Sequence, residues 1–195
     1  MEAVAKSKSK AHPIQSRQIP PELIYEEENG QPIYYRGYKE VLAGTKTLEE
    51  IMGCSSLQSS VLRLLLKYLY ANVDGAGYQV YTNEPGMHLS KGNNRASDIA
   101  IYREEDLTGY EFDDKYFQIP PFIGVEVDIK ADLSESKWEI YLKDKTKRLL
   151  DWGVHQVIWI FTPTRQIIIA EAGKDWLIRD WDKAFEIAPG HEINL

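Results

Sequence analysis

Between residues 125 and 130 the chain reads Val-Glu-Val-Asp-Ile-Lys, an alternation of apolar and charged side chains. On a β-strand, successive side chains point to opposite faces. Val125, Val127 and Ile129 would then share one face, and Glu126, Asp128 and Lys130 the other. Carboxylates beside an ammonium suit a hard divalent cation, because Mg²⁺ takes oxygen ligands and keeps several of its waters. Such an ion polarises a phosphate and lowers the pKa of a bound water. A half-buried strand with a solvated charged face would read the same way. Against that, a central strand between two helices is apolar on both faces.

Two further residues strengthen the pattern. From Ser134 to Trp152 the spacing predicts a helix, closed by Gly153. At helical spacing Trp138, Leu142, Lys145, Leu149 and Trp152 form one stripe, with Lys143 and Lys147 opposite. Lys145 is thus a cation in the face expected to pack on the sheet. Burying an unpaired ammonium is costly, so it either snorkels past the core edge or meets an anion. Asp98 opens a second strand, Asp98–Tyr102, after the irregular run Asn93–Ser97. Alone it reads as a turn group. Combined with an acid–x–acid strand and a lysine, it suits phosphodiester cleavage. The lysine would orient the attacking water or stabilise charge on the phosphate oxygens. Glu84, in Thr-Asn-Glu-Pro-Gly, reads first as a turn residue and second as another carboxylate near the site.

Other chemistries find little support. There is no phosphate-binding G-x-x-x-x-G-K-S/T loop, no G-x-G-x-x-G, and no G-x-S-x-G elbow. The four histidines are scattered without an H-x-x-x-H pair, which argues against zinc chemistry built on His and Cys. The single Cys54 forms no intramolecular disulfide and makes a cytoplasmic location the default. No apolar run approaches the roughly 20 residues of a membrane span. The charged start, Met1 to Lys10, is unlike a secretory signal. The 195 residues carry 23 Lys plus Arg against 30 Asp plus Glu, a net charge of −7. That balance disfavours nucleic-acid binding by charge alone.

The remaining chain supplies elements to position these groups. Residues 1–19 read as a flexible basic tail, with Lys6, Lys8, Lys10 and Arg17, and residues 20–195 as one domain. Strands are expected from Leu23, with a turn at Asn29-Gly30 and a return through Pro32–Tyr35. A short helix spans Thr47 to Met52, and a strong one runs from a Ser55 or Ser56 cap to about Ala71. Strands follow near Tyr78–Thr82 and Gly86–Leu89, then a polar loop, Lys91 to Arg95, and an acidic loop, Arg103 to Tyr116. Ile123–Ala131 is a strand, and His155–Thr162 with Gln166–Ala172 a hairpin. From Asp175 on, one or two more strands are expected. The sum is an α/β domain, a mixed β-sheet flanked by helices. Ile158, Ile160, Ile167, Ile169, Trp176 and Trp181 would serve as core or as a homodimer face.

The sequence resembles a bacterial family of restriction-endonuclease-like proteins, a largely uncharacterised branch of the PD-(D/E)-x-K nuclease superfamily. The matching stretches are Ser97–Tyr102, Ile123–Ile129, and Lys145 through Gly153-Val154-His155 to Ile160. Weaker similarity covers the helix from Ser55 and Pro189-Gly190. The resemblance implies a restriction-endonuclease-like fold and a Mg²⁺-dependent endonuclease acting on DNA, with Mn²⁺ as a substitute ion. Asp98 resembles the first metal ligand, with Ser97 where the family has proline. Glu126 resembles the second, and the Val127 carbonyl a third. Lys145 matches a lysine that has migrated to the following helix. Asp128 stands where the superfamily's usual lysine would be. Asp128-Ile129-Lys130 also spells D-x-K, an alternative register on the same strand face. A catalytically weak or silent module that binds nucleic acid or a protein partner is the other reading. A metal-dependent enzyme acting on a different phosphate ester is a third. A homodimer would pair two active sites for cutting a duplex.

Overall fold

The computed structural model describes residues 19–133 and 137–195. Almost all of the expected basic tail, and the Ser134 start of the second long helix, lie outside the described residues. Strands β1 (Ile24–Glu28) and β2 (Gln31–Tyr34) lead into two short helices, α1 (Tyr38–Leu42) and α2 (Leu48–Met52). Helix α3 (Ser56–Asn72) precedes β3 (Tyr78–Thr82), β4 (Gly86–Ser90), β5 (Asn93–Ala96), β6 (Ile99–Arg103) and β7 (Ile123–Val127). Helix α4 (Trp138–Trp152) then leads to β8 (Gln156–Phe161), β9 (Gln166–Glu171), β10 (Leu177–Asp180), β11 (Phe185–Ala188) and β12 (His191–Ile193).

The main sheet has the order β10-β9-β8-β7-β6-β3, and β2-β1-β5-β4 form a second, smaller sheet. Within the main sheet β7 and β8 are parallel and the other pairs antiparallel. That parallel pair needs a crossover, which α4 supplies. The architecture is the expected α/β one, a mixed sheet flanked by helices.

Each face of the sheet has its own apolar layer. Val61, Leu65, Leu69 and Val73 lay α3 on Ile99, Ile101, Val125, Val127, Ile158 and Ile160. Ser55 caps that helix, its hydroxyl accepting from the Gln58 N–H, as the Ser/helix pattern predicts. On the opposite face Leu142 and Leu149 of α4 meet Val157 and Trp159, and the small sheet contributes Met87, Tyr25 and Ile33. β7 is therefore covered on both sides, and all five of its residues are buried.

Four expectations are corrected by this arrangement. The strand predicted to run to Ala131 ends at Val127, because Asp128 takes a left-handed backbone, φ 62°. That turn breaks the alternation, so Ile129 joins the α4-side core and does not share a face with Val125. The polar loop Lys91–Arg95 is largely β5; its side chains are hydrophilic, but Asn94 pairs with Glu27 and Arg95 is buried. On α4 the buried stripe is Tyr141, Leu142, Lys145, Thr146 and Leu149, while Trp138 is 42% exposed in the first turn. Ile158, Ile160 and Ile167 are wholly buried, as the core reading of the hairpin expects. Trp181 packs on the same core and Trp176 on the α4-side one.

Candidate active site

β7 and β6 lie side by side, with Ile99 paired to Val125, and this register sets Asp98 beside the end of β7. The Val127 N–H donates to Asp98 Oδ2 at 2.7 Å, which fixes the carboxylate across the two strands. One residue earlier, the Ser97 hydroxyl donates to Glu126 Oε1 at 2.8 Å. Glu126 points to the α4 side, and Lys145 of α4 meets it with Nζ 3.1 Å from Oε1. Asp98, Glu126, Val127 and Lys145 thus come together, from two neighbouring strands and the crossover helix.

Lys145 is completely buried; it donates to Glu26 Oε1 at 2.6 Å and to the Ala96 carbonyl at 2.9 Å, and pairs ionically with Glu126. An ammonium has three protons, so these contacts can use all of them. Burial alone would pull the Lys145 pKa down, but Glu126 and Glu26 outweigh it and leave it raised. The group stays charged and is no general base. Burial also pushes the Glu126 carboxyl up, opposed by Lys145 and reinforced by Asp98 and Glu26, to about 7. A buried carboxyl whose charge is disfavoured by burial and by neighbouring carboxylates is a place where a cation would be stabilising.

Lys130 reaches the same place by a different route. The left-handed turn at Asp128 ends β7, and two residues later Lys130 Nζ lies 3.3 Å from Asp98 Oδ1. Asp128 itself goes elsewhere. Its Oδ1 accepts the Thr162 N–H at 2.8 Å and its Oδ2 the Thr162 hydroxyl at 2.7 Å. The D-x-K register therefore splits: Lys130 joins the site, while the Asp128 carboxylate ties the end of β7 to the end of β8. The shared face expected for Glu126 and Asp128 is lost at the same turn.

Several site residues escaped the sequence reading. Glu26 on β1 is almost fully buried and accepts from Lys145 and, at 2.8 Å, from the Tyr141 hydroxyl. Arg95 backs this cluster, 3.7 Å from Glu26 and 3.5 Å from Glu28. Gln58 on α3 donates to the Val127 carbonyl at 2.7 Å. Tyr141 carried a usable signal, since it lies four residues before Lys145 and shares its helix face. Glu26 carried none, being the first of three consecutive acids on a strand that read as solvated. Ser97, which stands where the resemblance expects proline, orients Glu126 through its hydroxyl.

The oxygen donors here are hard: two carboxylates and the Val127 carbonyl. Among the described residues no three His, Cys, Asp or Glu side chains gather into a metal cluster. One or two carboxylates completed by water and substrate oxygens are the usual holding for Mg²⁺, so this donor set fits that ion. A cleft of about 650 Å³ opens at the carboxyl ends of β7 and β8. Arg36, Lys46, Gln58, Lys130, Trp138 and Phe161 line it, so Lys130 connects the cleft to Asp98.

The fold is a restriction-endonuclease-like α/β one, a mixed sheet flanked by helices. A solved structure from Anabaena variabilis, described as a candidate nuclease belonging to DUF820, superposes with a TM-score of 0.59. The match covers 87% of this chain and 86% of that one at 11% identity, so the likeness is one of fold. That likeness of fold agrees with the fold implied by the resemblance of the sequence motifs. No protein-family model matches the chain. No curated protein matches it either. Among the described residues no helix is long and apolar enough to cross a membrane.

Proposed function

We propose that the protein is a Mg²⁺-dependent endonuclease that hydrolyses phosphodiester bonds of DNA, working from Asp98 and Glu126. The observation that carries this reading is the pairing of two buried carboxylates on adjacent strands, each answered by its own lysine, beside an open cleft. A fold needs no such cluster for stability, because buried ion pairs stabilise little against apolar replacements.

Asp98, Glu126 and the Val127 carbonyl would hold the ion, which supplies charge stabilisation at the phosphate and a more acidic water. The chain's own groups have separate tasks. Ser97 and the Val127 N–H aim the two carboxylates. Lys145, without exposure, pairs with both Glu126 and Glu26 and fixes the helix to the strand. Lys130, on the cleft side, is the ammonium a phosphate can reach. Trp138 and Phe161 give the cleft an aromatic wall, their rings edge to face at 6.2 Å, on which an unstacked base can lie.

A second reading rests on Lys145. A buried lysine held by two hydrogen bonds and an ion pair is also what a catalytically silent module with this fold, binding nucleic acid or a protein, would display. The two readings separate in one assay: plasmid and single-stranded DNA incubated with purified protein in Mg²⁺, Mn²⁺ or EDTA. Cleavage in metal, lost in EDTA and in Asp98→Ala, supports the enzyme. Intact substrate with all metals, from a folded protein that still retards DNA, supports the binding module.

A further inference from the structure

Lys130 is caught between two carboxylates. On one side is Asp98, and on the other is Glu84, which receives a hydrogen bond from the same Nζ. Exposure rises along the chain of three, from 8% for the Asp98 side chain through 17% for Lys130 to 42% for Glu84. Glu84 is thus the solvent end of a relay whose inner end is a proposed metal ligand. No other lysine or arginine forms an ion pair with Asp98 among the described residues.

The backbone that delivers Glu84 is unusual. Asn83 and Glu84 both have left-handed φ values, 71° and 55°, between β3 and β4. Residues with side chains adopt that region seldom, and two in succession, the second before Pro85, seldomer still. Such a shape persists where the contacts around it over-determine it. A plain turn at Glu-Pro-Gly would leave the carboxylate in solvent; here it is set on Lys130.

An ammonium 3.3 Å from Asp98 Oδ1 holds the oxygen that a divalent cation would need. The two cations repel, so the second can settle only as the first withdraws. We propose that Lys130 is a resident counter-cation of the metal site, released from Asp98 onto Glu84 when a divalent ion binds, so that the Glu84–Lys130 pair sets the site's affinity for that ion. This inference rests on the metal-dependent reading of Asp98 and Glu126. Glu84 is a positioning residue in this scheme, acting on the ion only through Lys130.

The test is a double-mutant cycle read by calorimetric titration of Mn²⁺, repeated with Mg²⁺, into wild type, Lys130→Met, Glu84→Gln and the double variant. Lys130→Gln replaces Lys130→Met if the latter does not melt cooperatively. The coupling predicts about fivefold or tighter binding in Lys130→Met and about fivefold weaker binding in Glu84→Gln. In the Lys130→Met background, Glu84→Gln should change affinity by less than about twofold, because its route to the ion is gone. Unchanged or weaker binding in Lys130→Met overturns the proposal. So does a Glu84→Gln loss of equal size in both backgrounds, which would make Glu84 act on the ion directly. A folded wild type that binds neither ion overturns the metal reading itself, and this inference with it.

Discussion

Glu126 and Lys145 form an ion pair with almost no solvent, where apolar side chains would normally pack. Removing one partner leaves the other charge buried alone, so Lys145→Met should lower unfolding free energy by about 3–5 kcal/mol, measured by urea denaturation. Glu126 also predicts a pH dependence. Its carboxyl rises from 4.5 in the unfolded chain to about 7 in the folded protein. Between those values the folded state holds a proton that the unfolded chain releases, so this group's contribution to stability falls as pH rises through that window. Wild type in EDTA should therefore lose stability relative to Glu126→Gln between pH 4.5 and about 7, and the difference should level off above. Glu126 and Lys145 were legible as charges in positions where the local pattern demanded apolar residues, and Asp98 only in combination with them, since alone it reads as a turn group. Glu26 was illegible for the opposite reason: in a run of three acids, nothing local marks the one that folds inward.

At the scale of elements, β7 decides what the site contains. That it is a strand followed from the alternation, but its end did not, because a left-handed aspartate is invisible to periodicity. That single turn removes Asp128 from the site, delivers Lys130, and lets Asp128 clip β8 through Thr162. Asp128→Ala should then cost roughly 1–3 kcal/mol of stability, the penalty of stranding the Thr162 donors, and leave metal-dependent cleavage close to wild type. Loss of cleavage in a folded Asp128→Ala protein would return that carboxylate to the chemistry. In helix α3 the Ser55 cap, the extent and the buried positions Val61 and Leu65 were legible. Its second task was not: Gln58 looks like an ordinary first-turn residue until the fold brings the Val127 carbonyl to it. β5 was missed since hydrophilic side chains disguise a strand whose Arg95 is buried by charge and not by apolarity.

For the whole molecule, the net charge of −7 first argued against a nucleic-acid partner. Part of that negative charge now has a location: Glu26, Glu84, Asp98 and Glu126 meet around Lys130 and Lys145. A divalent cation placed there would reverse the local repulsion toward a phosphate. DNA affinity, followed by fluorescence anisotropy, should accordingly rise about tenfold or more when Ca²⁺ replaces EDTA, and fall steeply with added salt. Affinity equal in EDTA and Ca²⁺ would place binding outside the carboxylate site. The α/β class and the order of the main elements were legible because periodicity and caps are local. The smaller sheet's role as a wall of the site was not, because it depends on long-range pairing of β1 with β5. The most direct test of the central claim is nicking of supercoiled plasmid by purified wild type and Asp98→Ala in Mg²⁺ and in EDTA, with thermal melting as the folding check. The account predicts cleavage by wild type in Mg²⁺ alone; cleavage that survives in EDTA or in folded Asp98→Ala, or none by folded wild type in Mg²⁺, would contradict it.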